Sequence, residues 1–356
     1  MKKIMLFLPG TGVGGIGKFV KDVVSKTLDT IDYTFVTLGD PNSELALFLK
    51  ENGKFINYPR WGKAVLAGVK RELGNEKYDV VHAHLGCWSF LILSIAKTCG
   101  IKKRIAHSHS ADSFKTMNGI GKVIYAISRL VNPFVVTDYF ACSDHACVET
   151  FGKKIAQSTK YHRILNPVDD RFWKKSETSE IRKEFGISDD AIVVCHVGYM
   201  GYHKNHPFII KLASELKDNN IYWLLVGDGH KRTDFENEVS RLGLQNVRFL
   251  GNRKDIPDIL DSSNLFILPS LLEGLGTVVL EAQARGKRCI VSENVTPEVD
   301  MNLGLVLSVP LSDLNAWKEA ITNRPVTEIG QGEIINRYKE KFVEINSCVE
   351  HVVSFY

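Results

Sequence analysis

The chain has 356 residues, of which 44% are hydrophobic and 24% are charged. These values exclude a disordered or fibrous protein and are typical of a soluble globular protein large enough for two domains. The net charge of +4 is uneven, because residues 1–165 carry +10 and the remainder −6. The basic first half indicates contact with an anionic surface or substrate, and uneven surface charge without a function is the alternative.

The seven cysteines include no C-x-x-C pair, and several lie in apolar runs of strand length. They indicate reduced, buried thiols in a cytosolic protein, and neither a disulfide framework nor a zinc site. Gly and Pro interrupt the apolar run in the opening MKKIMLFLPGTG too early for a signal peptide, so we expect a first strand there. No apolar run approaches the roughly 18 residues of a membrane span.

Apolar runs of strand length alternate with stretches of helical period along the chain. They are KIMLFLP, YTFVTLG, DVVHAH, KRIAHSH and YFACS, and then, after the polar stretch NPVDDRFWKKSETSE, IVVCHVG, YWLLVGDG, VRFLG, NLFILPS and RCIVSE. This alternation predicts an α/β fold with two successive domains, each a parallel sheet wrapped by helices. We place the domains at residues 1–170 and 171–330, and expect residues 331–356 to form a helix that packs back on the N-terminal domain.

The loop after the first strand is rich in glycine. Gly12, Gly14 and Gly17 satisfy the pattern G-x-G-x-x-G, and Asp40 ends the second strand, as in a dinucleotide-binding fingerprint. Backbone amides at a helix N-terminus suit a phosphate of NAD or of any other substrate. An NAD-dependent oxidoreductase is therefore one alternative, and a tight strand-to-helix turn without a ligand is another.

The most informative segment follows LFILPS and reads LLEGLGTVVLEAQARGKRCIVS, with Glu273 and Glu281 in an E-x7-E spacing. A glycine-rich loop joins these glutamates at the carboxyl end of a strand, where open parallel sheets bind their ligands. Amides at a helix N-terminus suit a sugar phosphate, and carboxylates suit vicinal hydroxyls. Two unrelated surface glutamates are a weaker explanation.

The segment LPSLLEGLGTVVLEAQARG resembles the donor-site motif of glycosyltransferase family 4, the retaining enzymes with the GT-B fold. The resemblance extends over nearly the whole chain, because GVGGIGKFV, DVVHAH, RIAHSHS, FACSDHA, NPVDDRFW, VVCHVGYMGYHKNHPFII, LLVGDG and VRFLGNRKDI follow in the family's order. The chain looks most similar to bacterial exopolysaccharide and capsule enzymes. The resemblance implies two Rossmann-like domains facing a central cleft, with the acceptor in the N-terminal domain and the donor nucleotide in the C-terminal domain.

The resemblance also implies the site residues. Glu281 is expected on the nucleotide ribose, Glu273 on the donor sugar, and Lys204 on the diphosphate, whose negative charge grows as the sugar–phosphate bond breaks. His109 is expected to hydrogen-bond the donor sugar or the acceptor. The implied catalytic residues are His109, Glu273 and Lys204, and the implied donor-binding residues are Gly15, Tyr199, Lys204, Asn252, Arg253, Glu273, Gly274, Leu275, Gly276 and Glu281.

The chain departs from the family pattern at Tyr199, where the family usually has an arginine that clamps the diphosphate. A phenol can donate a hydrogen bond but brings no charge. We therefore expect His203, His196 or another base to compensate, or the hold on the phosphates to be weaker.

Two H-x-H patterns, His82 with His84 and His107 with His109, raise a metal site as an alternative, because alternate residues of a strand share a face. No matching carboxylate or cysteine cluster accompanies them in the sequence, and the family that the chain resembles needs no metal. We therefore expect no metal and no other cofactor, the nucleotide sugar being a substrate.

The stretch FKTMNGIGKVIYAISRLVNPFVV mixes Lys115, Lys122 and Arg129 with large apolar residues. It fits a helix in a membrane interface, which the basic first half and a lipid-linked acceptor favour. An amphipathic helix that covers the sheet is an equal alternative.

We expect a retaining glycosyltransferase that moves a hexose or N-acetylhexosamine from a nucleotide sugar, UDP-linked by expectation, to a lipid-linked or oligosaccharide acceptor in exopolysaccharide or capsule biosynthesis. We expect it in the cytoplasm, with peripheral contact to the inner face of the plasma membrane and no nucleic-acid partner. A non-catalytic subunit that binds a sugar nucleotide or glycan is the alternative from another class, and the missing arginine at Tyr199 is the argument for it.

Overall fold

The structure is a computed structural model that describes residues 1–12, 14–109, 119–174, 180–323 and 329–356. These residues divide into two compact units. The first unit consists of Met1–Pro167 together with Phe342–Tyr356, and the second of Val168–Lys341.

The first unit contains a sheet of seven strands. They are β1 (Lys2–Phe7), β2 (Ile31–Leu38), β3 (Lys54–Tyr58), β4 (Val80–Ala83), β5 (Lys103–Ser108), β6 (Asp138–Ala141) and β7 (Tyr161–Arg163). Their order across the sheet is β3-β2-β1-β4-β5-β6-β7, and every neighbouring pair is parallel. The strand order reverses between β1 and β4, which makes the carboxyl ends of these strands the expected ligand edge.

The second unit repeats this topology with six strands. They are β8 (Ile192–Val197), β9 (Ile221–Val226), β10 (Val247–Gly251), β11 (Leu265–Leu268), β12 (Arg288–Ser292) and β13 (Val306–Val309). Their order is β10-β9-β8-β11-β12-β13, again with every neighbouring pair parallel. The reversal here lies between β8 and β11. Both sheets confirm the predicted α/β class with two Rossmann-like domains.

Helices of the described residues connect the strands. They are α1 (Gly15–Ser25), α2 (Glu44–Glu51), α3 (Lys63–Asn75), α4 (Ser89–Thr98), α5 (Gly119–Val135), α6 (Asp144–Phe151), α7 (Lys153–Ala156), α8 (Ile181–Glu184), α9 (His206–Glu215), α10 (Arg232–Arg241), α11 (Ile256–Ser262), α12 (Thr277–Ala284), α13 (Leu314–Thr322), α14 (Gln331–Glu340) and α15 (Ile345–Val353). Short 3₁₀ turns lie at Gly86–Trp88, Asp170–Phe172 and Pro297–Val299.

Each unit has its own apolar core. The central strands are buried along most of their length, as helices on both faces of a parallel sheet require. In the first core, Phe19 and Val23 of α1 pack with Val349 and Val352 of α15. In the second core, Trp223 of β9 lies with apolar residues of β8, β11, α9 and α13. The cores hold the two ligand edges in place.

The apolar runs singled out in the sequence all fall at strands, whereas β3, β7 and β13 were not predicted. All three are edge strands, and their burial patterns show it. The residues of β3 and β7 are at most partly buried, and β13 has one buried residue, Val309. An edge strand needs fewer apolar residues because one side of it has no partner strand.

The predicted domain boundaries differ from those of the structure. The first break lies between Pro167 and Val168 instead of after residue 170, and residues 331–356 divide between the two units. In α14 the buried Tyr338 donates its hydroxyl hydrogen to the backbone oxygen of Leu280 at 2.6 Å, which holds this helix in the second unit. Only the chain from Phe342 on, with α15, returns to the first unit.

None of the helices in the described part of the chain is both long enough and apolar enough to cross a lipid bilayer. All seven cysteines are free, and every one except Cys99 is buried. Burial raises the pKa of the Cys147, Cys195 and Cys348 thiols to about 12, so these groups are neutral and unreactive near neutral pH.

Candidate functional site

The loops that follow β8 and β11 are bound to each other at the ligand edge of the second sheet. The amide of Leu271 donates to the carbonyl of His203 at 2.8 Å, and the Asn205 side chain donates to the carbonyl of Pro269 at 3.0 Å. Because β8 and β11 are neighbours, these bonds bring together segments that are more than 60 residues apart in sequence. Lys204 and Glu273 lie on these two loops.

Lys204 and Glu273 form a well-shielded ion pair. The ammonium Nζ lies 2.6 Å from Glu273 Oε1, and the two side chains are 19% and 11% exposed. The hydroxyl of Ser270 donates to the same carboxylate oxygen at 2.7 Å. The sequence could not show this pair directly, but it predicted both residues at the donor, and the structure brings them together. The arrangement places a fixed cation beside a hydrogen-bonding carboxylate.

Glycines bring the loops after β8 and β9 into close contact beside Lys204. A Cβ atom on Gly227, whose φ is 125°, would lie 2.1 Å from the carbonyl oxygen of Gly198. A Cβ atom on Gly229 would lie 2.4 Å from the oxygen of Met200. The side chain of Lys204 lies directly over Gly198, within about 3 Å of the position that a Cβ would take. The glycine-rich segments therefore set the position of the lysine.

The loop from β11 enters α12 at Gly276. This glycine has a φ of 79°, in the left-handed region, and Leu275 before it is buried. The N-terminus of α12 carries the positive end of the helix dipole, which suits it to an oxyanion. Glu281, the fifth residue of α12, is 9% exposed. Glu273, Gly274, Leu275 and Gly276 thus lie directly before the helix that carries Glu281, as the spacing implied.

Asn252 and Arg253 directly follow β10. Asn252 is exposed. The guanidinium of Arg253 bonds both oxygens of Asp255, at 2.8 and 2.7 Å, and both of Glu184, at 2.9 and 3.2 Å. These carboxylates raise the pKa of Arg253 above its ordinary value. A contact between Arg253 and the donor requires this network to exchange partners, and the assignment of Asn252 and Arg253 to the donor site stays a prediction.

Four histidines form a stacked array at the ligand edge of the first sheet. His82 Nε2 lies 3.1 Å from His107 Nδ1, and His84 Nδ1 lies 2.8 Å from His109 Nε2. His82 Nδ1 also lies 2.8 Å from the Tyr356 hydroxyl. Burial lowers the pKa of His82 and His109 to about 3, and those of His84 and His107 also lie well below their usual range. The four imidazoles are therefore neutral at physiological pH.

The structure places Gly15 and His109 in the first unit and the other predicted site residues in the second. Gly15 begins α1, and a Cβ atom there would lie 3.7 Å from Nδ2 of Asn166. Hydrogen bonding by Asn166 partly opposes the lowering of the His109 pKa by burial. Asn166 therefore links the glycine loop to His109. Sequence reasoning noted its motif, NPVDD, but gave the residue no role.

Known proteins share both the sequence and the architecture of this chain. The family described as Glycosyl transferases group 1 matches residues 177–304. EpsF of Bacillus subtilis (strain 168), whose name assigns it as a glycosyltransferase, is 30% identical over 334 residues, which cover 90% of this chain and 87% of EpsF. The chain belongs to the group 1 glycosyltransferases. It is therefore a transferase, and the alternatives of a binding subunit and of an NAD-dependent oxidoreductase are not supported.

Two further comparisons concern other glycosyltransferases. The UDP-Gal:alpha-D-GlcNAc-diphosphoundecaprenol alpha-1,3-galactosyltransferase of Escherichia coli is 28% identical over 238 residues, covering 64% of this chain and 61% of that enzyme. The crystal structure of HepE from Anabaena in complex with UDP has a TM-score of 0.79 at 17% identity, covering 99% of both chains. The likeness to HepE shows that the fold is GT-B. Other relatives carry names from capsule and O-antigen biosynthesis.

In this glycosyltransferase the oxidoreductase fingerprint has a local structural explanation. Gly17 is the third residue of α1, and a Cβ atom there would lie 2.7 Å from the carbonyl oxygen of Gly12, so the close approach of the loop to the helix requires glycine at that position. The carboxylate of Asp40 accepts a hydrogen bond at 2.9 Å from the amide of Asn42, two residues further on. Loop-to-helix packing explains Gly17, and a tight turn explains Asp40.

We expected His196, His203 or another base to compensate for the arginine that is missing at Tyr199, and the structure only partly agrees. The prediction that His196 compensates is wrong. His196 is fully buried, and its Nδ1 lies 3.0 Å from the carbonyl oxygen of Ile267. Burial holds its pKa well below the usual range, so it carries no charge at neutral pH. His203 is exposed, with its ring in edge contact with Tyr202. Sequence reasoning missed His230, whose Nδ1 lies 3.1 Å from the Tyr199 hydroxyl.

The histidine array is the part of the described chain that could bind a metal ion. Within the described ranges, His82, His84 and His107 each offer a ring nitrogen, and these nitrogens lie within 4.8 Å of one another. Neutral imidazoles suit a transition metal. However, the rings of His82 and His107 are nearly parallel, at 11°, and are joined by a hydrogen bond that satisfies one nitrogen of each without an ion. The absence of a metal requirement stays a prediction.

Proposed function

We propose that the chain transfers a hexose or N-acetylhexosamine from a UDP-sugar to a lipid-linked or oligosaccharide acceptor, with retention at the anomeric carbon, in exopolysaccharide or capsule biosynthesis. The main support for a donor site in the second unit is the Lys204–Glu273 ion pair, because a shielded cation and a carboxylate lie beside the start of α12. The retaining outcome rests on the family resemblance, and the UDP donor is supported by the names of relatives that bind or use it.

Lys204 and the first amides of α12 supply complementary contacts for the leaving group. As the sugar–phosphate bond breaks, negative charge grows on the diphosphate, and a preorganised ammonium and helix amides stabilise it without reorganisation. Glu273 accepts hydrogen bonds from sugar hydroxyls, and Glu281 from the vicinal hydroxyls of the ribose. In this proposal Glu273 also holds Lys204 in position through the 2.6 Å contact.

A transfer assay tests this function. Purified enzyme is incubated with a panel of UDP-, GDP- and ADP-linked hexoses and N-acetylhexosamines and with undecaprenyl-diphosphate-linked mono- and disaccharides, and products are identified by mass spectrometry. We expect a UDP-linked donor to be consumed and its sugar to appear on an acceptor with the same anomeric configuration. Turnover with GDP- or ADP-sugars alone, or inversion at the anomeric carbon, contradicts the proposal.

We also propose that α5 contacts an anionic membrane, which would place the enzyme peripherally on the inner face of the plasma membrane. The helix buries Ser128 and Asn132 but exposes a stripe of large apolar side chains. That stripe consists of Ile120, Val123, Ile127, Leu130 and Phe134, between 42% and 73% exposed. Five of the eleven exposed large hydrophobic residues in the described chain thus lie on one face of one helix, the pattern of an interfacial helix.

Basic residues border the α5 stripe. Lys122 and Arg129 are exposed on α5 itself, whereas Lys115 lies outside the described residues. Arg129 lies against Gly152, directly before the exposed Lys153 and Lys154 of α7. These cations match the negative surface potential of an acidic leaflet, to which each Lys or Arg contributes about 1 kcal/mol of attraction. The apolar stripe and the charges together favour a lipid surface over packing of α5 against the sheet.

Vesicle flotation tests the membrane contact. We expect wild-type protein to float with phosphatidylglycerol vesicles and far less with phosphatidylcholine vesicles, and the double variant Leu130→Ser/Phe134→Ser to lose flotation. The matched control is Leu47→Ser/Leu307→Ser, which removes two exposed apolar side chains elsewhere. Equal flotation of both double variants, or none by wild type, contradicts the membrane proposal and leaves the transfer proposal standing.

A further inference from the structure

Two exposed aromatic side chains, Tyr199 and His230, form a pair beside Lys204 at the ligand edge of the second sheet. Tyr199 follows β8 and His230 follows β9, so both lie at the carboxyl ends of neighbouring strands. Tyr199 is 60% exposed, and His230 is also exposed. The side chain of Lys204 lies over Gly198, the residue directly before Tyr199. A ligand that contacts Lys204 therefore has the Tyr199–His230 pair close by.

The phenol oxygen of Tyr199 contacts both the backbone and the ring of His230. It accepts a hydrogen bond at 3.4 Å from the His230 amide and lies 3.1 Å from the ring nitrogen Nδ1. Gly201 leaves room for this contact, because a Cβ atom there would lie 3.1 Å from the Tyr199 ring and 3.4 Å from Cε1 of His230. Within the part of the chain that the structure describes, no residue bonds the other ring nitrogen, Nε2, which stays accessible to a ligand.

Backbone hydrogen bonds on either side of the pair fix the two loops to each other. The amide of Met200 donates to the carbonyl of Asp228 at 2.9 Å, and the amide of Lys231 donates to the carbonyl of Met200 at 3.2 Å. The loops therefore hold Tyr199 and His230 together before a ligand arrives. Such preorganisation lowers the entropy that binding would otherwise cost.

Protonation of the imidazole changes what the pair can offer to an anion. When the neutral ring carries its hydrogen on Nε2, the phenol of Tyr199 donates to Nδ1, so Nε2–H is the one donor that the ring keeps. When a proton from solvent binds Nδ1, the new N–H donates to the phenol oxygen and the phenol hydrogen becomes free. The protonated pair then offers two donors, the phenol O–H and the imidazolium Nε2–H, together with one positive charge.

The charged side chains near the imidazole are paired with one another. On the same loop and on α10, Arg232 pairs with Asp228 at 3.4 Å and Lys231 with Asp234 at 3.3 Å. From the facing loop, Tyr199 is the titratable side chain that contacts the ring. Among the described residues no carboxylate forms an ion pair with the imidazole, so the charge of a protonated ring is left for an anionic ligand.

We propose that the Tyr199–His230 pair, with its imidazole protonated, is a second cationic contact for the donor diphosphate, beside Lys204. The inference rests on the proposed function, because it adds a contact to the same diphosphate site. The pair supplies the charge that a phenol alone lacks at position 199, where the chain departs from the expected arginine. A bound diphosphate favours the protonated ring, since opposite charges stabilise the charged form. Histidine changes its charge between pH 5 and 8, so the hold on the diphosphate depends on pH.

Titration calorimetry of the full-length protein with UDP, at pH 6 and at pH 8.5, tests the inference. The variants are His230→Gln, Tyr199→Phe and the control His145→Gln, which removes an exposed histidine of the first unit. The terminal phosphate of UDP itself titrates near pH 6, so the measured quantity is the Kd of each variant divided by that of wild type at the same pH. For His230→Gln we expect this ratio to be about fivefold or more at pH 6 and below about twofold at pH 8.5. Tyr199→Phe should also have its larger ratio at pH 6, and His145→Gln should stay near one at both values.

Tyr199→Arg gives an independent check, because a fixed positive charge should make UDP binding at pH 8.5 about fivefold tighter than in wild type. Melting temperatures show that each variant is folded. A ratio near one for His230→Gln at pH 6 overturns the inference. An equally large ratio at both pH values also overturns it, because a structural or stacking role of the ring does not depend on its charge. The same holds if His203→Gln, and not His230→Gln, produces the loss at pH 6. Failure of wild type to bind UDP at either pH instead overturns the proposed function.

Discussion

Replacing Lys204 by alanine removes the cation that the proposed mechanism needs at the leaving group. The ammonium lies 2.6 Å from Glu273 and is 19% exposed, so it is neither in bulk water nor in a dry interior. At an effective dielectric constant of about 20, two unit charges about 4 Å apart interact by about 4 kcal/mol. In the transition state the diphosphate carries a fraction of a unit charge more than in the ground state. The transition-state stabilisation by Lys204 is therefore at most about 3–4 kcal/mol.

This energy corresponds to a fall in kcat of about 10²–10³-fold, because each 1.36 kcal/mol changes a rate tenfold. The assay follows UDP release from the active UDP-sugar with a coupled enzyme, for wild type, Lys204→Ala, Lys204→Arg and Lys231→Ala. Lys204→Arg keeps the charge and should recover part of the rate. Lys231 is a matched control because it lies in the next loop, is 47% exposed and pairs only at 3.3 Å with Asp234 among the contacts described.

Lys231→Ala should stay within twofold of wild type. Circular dichroism and melting temperature show whether Lys204→Ala keeps its fold, since the variant leaves Glu273 with the hydrogen bond from Ser270. A folded Lys204→Ala enzyme whose kcat stays within threefold of wild type would refute the role of this lysine and the electrostatic argument built on it.

Three further predictions address other parts of the site. Glu281→Gln should weaken UDP binding first, whereas Glu273→Gln should depress kcat more than UDP affinity; titration calorimetry and initial rates separate them, and equal losses of both quantities in both variants would show the assignment to be wrong. Donor turnover should be unchanged in excess EDTA, and loss of activity that manganese or magnesium restores would count against the metal-free site. Burial depresses the folded-state pKa of His82 and His109 to about 3, below the unfolded value near 6.5, so the unfolded chain binds more protons between these pH values. The contribution of these neutral histidines to the free energy of unfolding is therefore complete above pH 6.5 and should decrease as the pH falls. A free energy of unfolding, measured with urea, that does not change between pH 6.5 and 5, above the range where carboxylates titrate, would contradict this.

The sequence predicted the parts of the fold that depend on local pattern. The central strands are buried on both faces and read as continuous apolar runs, so β1, β8 and β11 were found directly. Glu273 and Glu281 are eight residues apart on one loop and one helix, so their relation follows from the spacing alone. The edge strands β3, β7 and β13 gave a weaker signal because fewer of their residues are buried.

Contacts between segments that are distant along the chain could not be predicted from the sequence. The Tyr356 hydroxyl reaches His82 across 274 residues, and His230 reaches Tyr199 across 31. Both contacts depend on which strands are neighbours and on where the C-terminal chain returns. The amphipathic pattern of α5 was visible, but only the structure shows that its polar residues Ser128 and Asn132 are buried and its apolar face exposed. Periodicity alone does not decide which face of a helix lies inward.

A thermal-shift measurement on the full-length chain tests most directly whether it binds a nucleotide-sugar donor. A ligand at 100 times its Kd stabilises the folded state by about 2.7 kcal/mol, and each kcal/mol raises the Tm of a 150–250-residue domain by about 2–4 °C. UDP and at least one UDP-sugar should therefore raise the Tm by about 5–10 °C, and NAD and NADP should leave it unchanged. A rise with NAD or NADP and none with UDP or any UDP-sugar would contradict the donor site built around Lys204, Glu273 and Glu281.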